Sequence, residues 1–117
     1  MTPQLMPSGF SAWVRSLPAG VVPVMLDVRE AWELQTASVQ PDGFTLLHVP
    51  MREIPAHLAE LLTTPGVDHP IACLCHHGIR SQQVAHFLTQ HGFSEVVNLH
   101  GGIAAWSQQV DPSVPIY

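Results

Sequence analysis

Ile71-Ala72-Cys73-Leu74-Cys75-His76-His77-Gly78-Ile79-Arg80-Ser81 runs from an apolar stretch, opened by Pro70, through a glycine-containing loop into a helical pattern. From Ser81 to His91, Val84, Phe87, Leu88 and His91 share one helix face, and Gly92 follows as a C-terminal cap. An apolar run this short, without polar alternation, fits a strand covered on both faces, as in a parallel sheet. Strand, tight loop and helix form the unit on which the fold is built.

The same alternation continues in both directions. Upstream, Val21-Val22-Pro23-Val24-Met25-Leu26 ends at Asp27, and Phe44-Thr45-Leu46-Leu47-His48-Val49 is stopped by Pro50. Downstream, Val96-Val97-Asn98-Leu99 is stopped by Gly101-Gly102. Between these runs, Phe10, Trp13, Val14 and Leu17 fall at helical spacing. Leu58, Leu61 and Leu62 share a face of a helix from Pro55 to Leu62, and a last short helix spans Ile103 to Val110. The pattern predicts an α/β fold with a mainly parallel central sheet of four to five short strands and helices on both faces. The length, 117 residues, predicts one domain over residues 1–117. The prolines of Asp111-Pro112-Ser113-Val114-Pro115-Ile116-Tyr117 predict an extended tail packed on the surface.

Composition narrows the function. The hydrophobic share is 46% and the charged share 11%, which excludes intrinsic disorder. All four basic residues are arginines (Arg15, Arg29, Arg52, Arg80), so lysine Schiff-base chemistry and the lysine phosphate loop are excluded. A formal net charge of −5 with no basic run argues against nucleic acid and against a polybasic membrane anchor. Met1-Thr2-Pro3-Gln4-Leu5-Met6-Pro7 lacks a positive n-region, and no stretch approaches the roughly 20 apolar residues of a membrane helix. Cys73 and Cys75 stand one residue apart, too close for an ordinary structural disulfide, so both thiols are expected free. A soluble cytoplasmic protein is the expectation.

Cys75 sits where open α/β sheets place their ligands, beyond the carboxyl end of a strand. The first N–H groups of the following helix lack intrahelical partners and carry the positive end of its dipole. A short loop through Gly78 can turn successive N–H groups inward as an anion nest. Arg80 adds a permanent positive charge, and His76 and His77 add more if protonated. Such surroundings favour a nucleophilic thiolate at Cys75.

At this point the chain resembles the single-domain rhodanese-like sulfurtransferases. Their loop, Cys-x-x-Gly-x-Arg-[Ser/Thr], is matched by Cys75, Gly78, Arg80 and Ser81. Leu26-Asp27-Val28-Arg29-Glu30 with Trp32-Glu33 is similar to the first signature of that family, and Asn98-Leu99-His100-Gly101-Gly102-Ile103-Ala104-Ala105-Trp106 to its closing one. The resemblance implies a rhodanese-like domain in which Cys75 takes a sulfane sulfur from thiosulfate or a protein persulfide, holds it as a persulfide and passes it to a thiol or cyanide-like acceptor. It implies a donor-binding loop of His76, His77, Gly78, Ile79 and Ser81, with Arg80 orienting an anionic donor or holding the loop. No cofactor and no metal are expected. The alternative is a non-catalytic or protein-partner sulfur-relay module using the same loop. Related phosphatases and arsenate reductases use Cys-x5-Arg; four residues separate Cys75 from Arg80, a cradle better sized for sulfur than for phosphate.

One departure stands out. Ala37-Ser38-Val39-Gln40-Pro41-Asp42-Gly43 replaces the Gly-His-Ile-Pro-Gly-Ala stretch usual in the family, so no role for that histidine carries over. Cys73, inside an apolar run, reads as inert core. Asp27 and Arg29 read as a supporting polar pair. Trp13, Trp32 and Trp106 read as core or shielding aromatics. The remaining histidines read as solvated or capping, and the Cys73, Cys75, His76 and His77 cluster lacks ordinary zinc-ligand spacing.

Overall fold

A computed structural model describes residues 2–117. Its strands are β1 (Gln4–Leu5), β2 (Val24–Asp27), β3 (Thr45–His48), β4 (Ile71–Leu74) and β5 (Val96–Leu99). Its α-helices are α1 (Phe10–Ser16), α2 (Ala31–Thr36), α3 (Ile54–Leu61), α4 (Ile79–Gln90) and α5 (Gly102–Gln109). All strand pairs are parallel, in the order β1-β5-β4-β2-β3. Among the described residues no helix is long and apolar enough to cross a membrane.

Both sheet faces are covered, as the apolar runs require. On one face Leu26, Ile71, Cys73 and Val96 pack with Ile54 and Leu61 of α3 and with Val84 and Leu88 of α4. On the other, Met25, Ala72, Leu74 and Leu99 pack with Phe10 of α1 and with Ile103 and Trp106 of α5. The strict alternation along β4 sends neighbouring side chains into different cores.

Several boundaries differ from the sequence reading. The run from Val21 becomes strand only at Val24, because Pro23 has no N–H to give a ladder. The short helix α2 follows β2 directly and lacks a strong apolar period. α4 begins at Ile79, with left-handed Gly78 (φ 97°) as its N-cap. Trp106 is buried and Trp13 packs against the core, but Trp32 stands 61% exposed, on the outer side of α2. Two-residue β1 pairs with β5, too short for any period to reveal. The tail is not confined to the surface: Val114 is buried, and Tyr117 is half-buried against the loop after β4.

β2 and β4 lie side by side, so the residues just past both strands meet at one end of the sheet. There Asp27 and Arg29, 1% and 0% exposed, form a fully internal ion pair. Arg29 Nε and Nη2 donate to the Asp27 carboxylate at 2.8–3.2 Å. Nη2 also donates to the Ala37 carbonyl, and Nη1 to the Glu33 carbonyl and the Tyr117 hydroxyl. Burial works against the guanidinium charge, but Asp27 and Tyr117 more than offset it, and the Arg29 pKa stands above its ordinary value. Removing one partner leaves the other buried and uncompensated. Asp27→Asn is therefore expected to lower the unfolding free energy by about 3–5 kcal/mol, read from urea denaturation.

Candidate active site

Cys75 follows β4 directly, and its side chain is 1% exposed. The chain then curls around its sulfur: Sγ accepts the N–H of Gly78 at 3.1 Å and the N–H of Ser81 at 3.3 Å. Both donors lie at the start of α4, where N–H groups have no intrahelical partner and the helix dipole is positive. Gly78 makes the reversal possible, since its left-handed backbone strains any residue with a Cβ.

Three neighbours fix the loop. α5 sits beneath it: Ile103 N–H donates to the Cys75 carbonyl at 2.8 Å, and Ala104 N–H to that of His76 at 3.2 Å. Gly102 permits this approach, because a Cβ there would fall on both of those carbonyl oxygens. Asn98 of β5, 1% exposed, donates through Nδ2 to the Gly78 carbonyl at 3.1 Å and accepts from the Ser81 hydroxyl. Glu33 of α2 holds Arg80: Nη1 and Nη2 donate to its two carboxylate oxygens at 2.7 and 2.9 Å.

Glu33 is the busiest group near the loop. It also accepts the Glu30 N–H at 2.9 Å, which closes a capping box at the start of α2, and the Tyr117 hydroxyl at 2.8 Å. The Arg80 hydrogen bonds, set against burial, pull its pKa down to about 2. The same pairing holds Arg80 above its ordinary value. Arg80 thus reaches the loop with its charge already matched by a carboxylate. Arg52, the next cation, is 3.6 Å from Glu30 and exposed. The groups that touch Sγ are backbone N–H donors, and the Arg80 guanidinium nearby is paired with Glu33.

Of the residues expected at the site, Cys75, His76, His77, Gly78, Ile79, Arg80 and Ser81 form one loop, with the Asp27–Arg29 pair set behind it. His77 and Ile79 point to solvent, Ile79 at 71% exposure. His76 lies sandwiched, its ring 3.8 Å from that of His77 and 3.9 Å from that of Tyr117. Burial, the largest influence on it, lowers the His76 pKa. Cys73 is fully buried in the α3/α4 core, and burial pushes its thiol far up; both cysteines are free. His48 sits at the end of β3, its Nε2–H donating to the Arg29 carbonyl at 2.7 Å.

The sequence reading gave no role to Glu33, Asn98 or Tyr117. Asn98 had a signal, as the one polar residue in an apolar run. Glu33 had another: in a chain with so few cations, an arginine in an apolar setting needs a carboxylate nearby. Tyr117 had none. Among the described residues no group of three or more His, Cys, Asp or Glu side chains could hold a metal ion. A cavity of about 300 Å³ beside Arg80 is lined by Val28, Glu30, Met51, Arg52 and Pro55. A larger one of about 780 Å³ lies before β4 and β5, among Trp13, Leu17, His69, Pro70 and Glu95, away from the loop.

Residues 8–109 match the Rhodanese-like domain family, and the chain belongs to it. The Sulfurtransferase of Allochromatium vinosum is 33% identical over 91 residues, 78% of each chain. The Arabidopsis thaliana "Rhodanese-like/PpiC domain-containing protein 12, chloroplastic" is 38% identical over 93 residues, 80% of this chain and 30% of its own length. This chain spans between about a fifth and a half of the length of several curated relatives. The crystal structure of a rhodanese-related protein from Thermoplasma volcanium superposes with TM-score 0.74 over 98% of this chain and 99% of that one, at 25% identity.

Two outcomes follow from this geometry. Gly102→Ala combines a left-handed backbone (φ 60°) with a blocked Cβ. It is expected to cost about 2–4 kcal/mol in urea denaturation, against about 1 kcal/mol for Gly92→Ala, whose Cβ would meet open space. Glu33 has a depressed folded-state pKa, so its stabilisation is fully present above its ordinary value of 4.5 and is lost as pH falls toward about 2. Stability measured across that window should decline more steeply in the unaltered protein than in Glu33→Gln.

Proposed function

We propose that the protein is a sulfurtransferase that carries sulfane sulfur as a persulfide on Cys75. The observation that carries this reading is a buried sulfur accepting two helix-start N–H groups within a loop of four residues between Cys75 and Arg80. Membership of the rhodanese-like family and likeness to a named sulfurtransferase support it.

In the first half-reaction the Cys75 thiolate attacks the outer sulfur of thiosulfate. A Cys75 S–S bond forms, the S–S bond of thiosulfate breaks, and sulfite leaves with the electron pair. In the second, a thiolate or cyanide attacks the terminal sulfur, and Cys75 recovers its electron pair as a thiolate. No external oxidant or reductant is needed. Preorganised N–H groups stabilise negative charge on Sγ as it attacks, and on the persulfide as it forms, without reorganising. His76, His77 and Ile79 shape the approach, Arg80 holds the far side of the loop, and Asp27–Arg29 supports the cradle from behind.

A second reading concerns the donor. Two large apolar side chains stand exposed near the cradle, Ile79 in the loop and Trp32 edge-on to Tyr117. The nearby cations are matched by carboxylates, which gives a dianion such as thiosulfate little net attraction. A persulfide borne by a partner protein fits that rim, and the domain then acts as a sulfur relay.

The test is intact-mass spectrometry after incubation with thiosulfate, and separately with a persulfidated protein. The expected result is a one-sulfur adduct, lost on cyanide treatment and absent in Cys75→Ser. No adduct with either donor, or one that persists in Cys75→Ser, overturns the proposal. Faster loading from the persulfidated protein favours the relay.

A further inference from the structure

We propose that Tyr117 is a positioning residue for the sulfur-carrying loop, tying residue 76 to the same carboxylate that holds residue 80. The inference deepens the sulfurtransferase reading and rests on it. Arg80 is bonded directly to Glu33 through both carboxylate oxygens. His76, at the other end of the loop, reaches Glu33 through Tyr117. The two rings stack at 3.9 Å and 5° between planes, and His76 Nε2 lies 2.7 Å from the Tyr117 main-chain oxygen. That oxygen can only accept, so Nε2 carries the proton. The Tyr117 hydroxyl then donates to Glu33 Oε1 at 2.8 Å and accepts from Arg29 Nη1 at 2.9 Å.

The span between these two anchors contains the chemistry. Gly78 N–H lies within it, and Ser81 N–H comes immediately after it. Both must keep their aim as Sγ gains and loses a sulfur atom. α5 and Asn98 fix the loop's main chain from below. Among the described residues the His76 side chain is held by the stacked His77 ring and by the Tyr117 strap, and the strap alone ties it to the Glu33–Arg29 cluster. Arg29 is fully buried, and the Glu33 carboxylate accepts from three residues. His77 stacks on the outer face of His76, so one wall of the loop is a three-ring pile resting on Tyr117.

Tyr117→Phe keeps the ring but severs its links to Glu33 and Arg29; Tyr117→Leu removes the stack as well. Amide hydrogen exchange and steady-state kinetics with thiosulfate and cyanide test the strap. In Tyr117→Phe the amides of residues 76–81 should exchange about five- to thirtyfold faster, the range for two lost hydrogen bonds. Those of β4 should be unchanged. The kcat should fall about five- to tenfold with KM moving less than about twofold, because the strap orients the loop rather than binding the donor. Tyr117→Leu should exceed both effects. Leu88→Ala, a core change remote from the strap, should lower stability without loosening the loop selectively. Loop amides that exchange as in the unaltered protein overturn the proposal, as does a loosened loop with kcat and KM unchanged. Should Tyr117→Leu fail to fold, Tyr117→Phe decides. If the loop loosens and not even the unaltered protein transfers sulfur, the strap stands and the sulfurtransferase reading falls.

Discussion

The structure depends on one constraint: a buried sulfur must be faced by backbone N–H groups that would otherwise point elsewhere. A loop of this length does not hold that shape unaided. Its carbonyl groups turn outward as its N–H groups turn in, and each needs a donor. α5 supplies N–H groups for the carbonyls of Cys75 and His76, and Asn98 supplies one for that of Gly78. The closing Gly101-Gly102 pair follows from this. The second glycine lets one helix start lie directly on the loop that begins another.

Charge is managed just as locally. Four arginines serve a chain of net charge −5, and the two nearest the cradle are committed to carboxylates. Arg29 organises the end of β2 from inside the protein, and Arg80 closes the loop from its edge. The sequence contains no lysine, so every side-chain guanidinium or ammonium charge in it belongs to an arginine. In the folded protein this scarcity has a second meaning: among the described residues, Arg29, Arg52 and Arg80 near the cradle are each paired with a carboxylate. Dipoles, which act at short range and lose little to salt when buried, carry the electrostatics around Sγ. Under the proposed sulfurtransferase reading, selection among donors falls to shape: the exposed Ile79, the His77–His76–Tyr117 pile and the projecting Trp32.

Much of this was legible in the sequence. The four longer strands announce themselves as apolar runs, and α4 as a period with a glycine at each end. The loop from Cys75 to Ser81 is found by its position between such elements. What could not be read has physical reasons. β1 is two residues long and is defined by its partner β5 rather than by its own pattern. α2 is about a turn and a half long with no buried apolar face, held by a Glu30–Glu33 capping box and by Arg80 rather than by propensity. Trp32 looks like core by type, but α2 turns it outward. Tyr117 lies 41 residues from the ring it stacks on, and no local rule links an extended tail to a distant loop.

The central claim is that this cradle exists to hold one extra sulfur atom on Cys75. The most direct test is the mass of the Cys75 peptide in protein isolated from its source cells under non-reducing conditions and alkylated at once. The account predicts a fraction one sulfur atom heavier than the thiol, discharged by a reductant. A peptide carrying only the free thiol, or a phosphoryl group in place of sulfur, would contradict it.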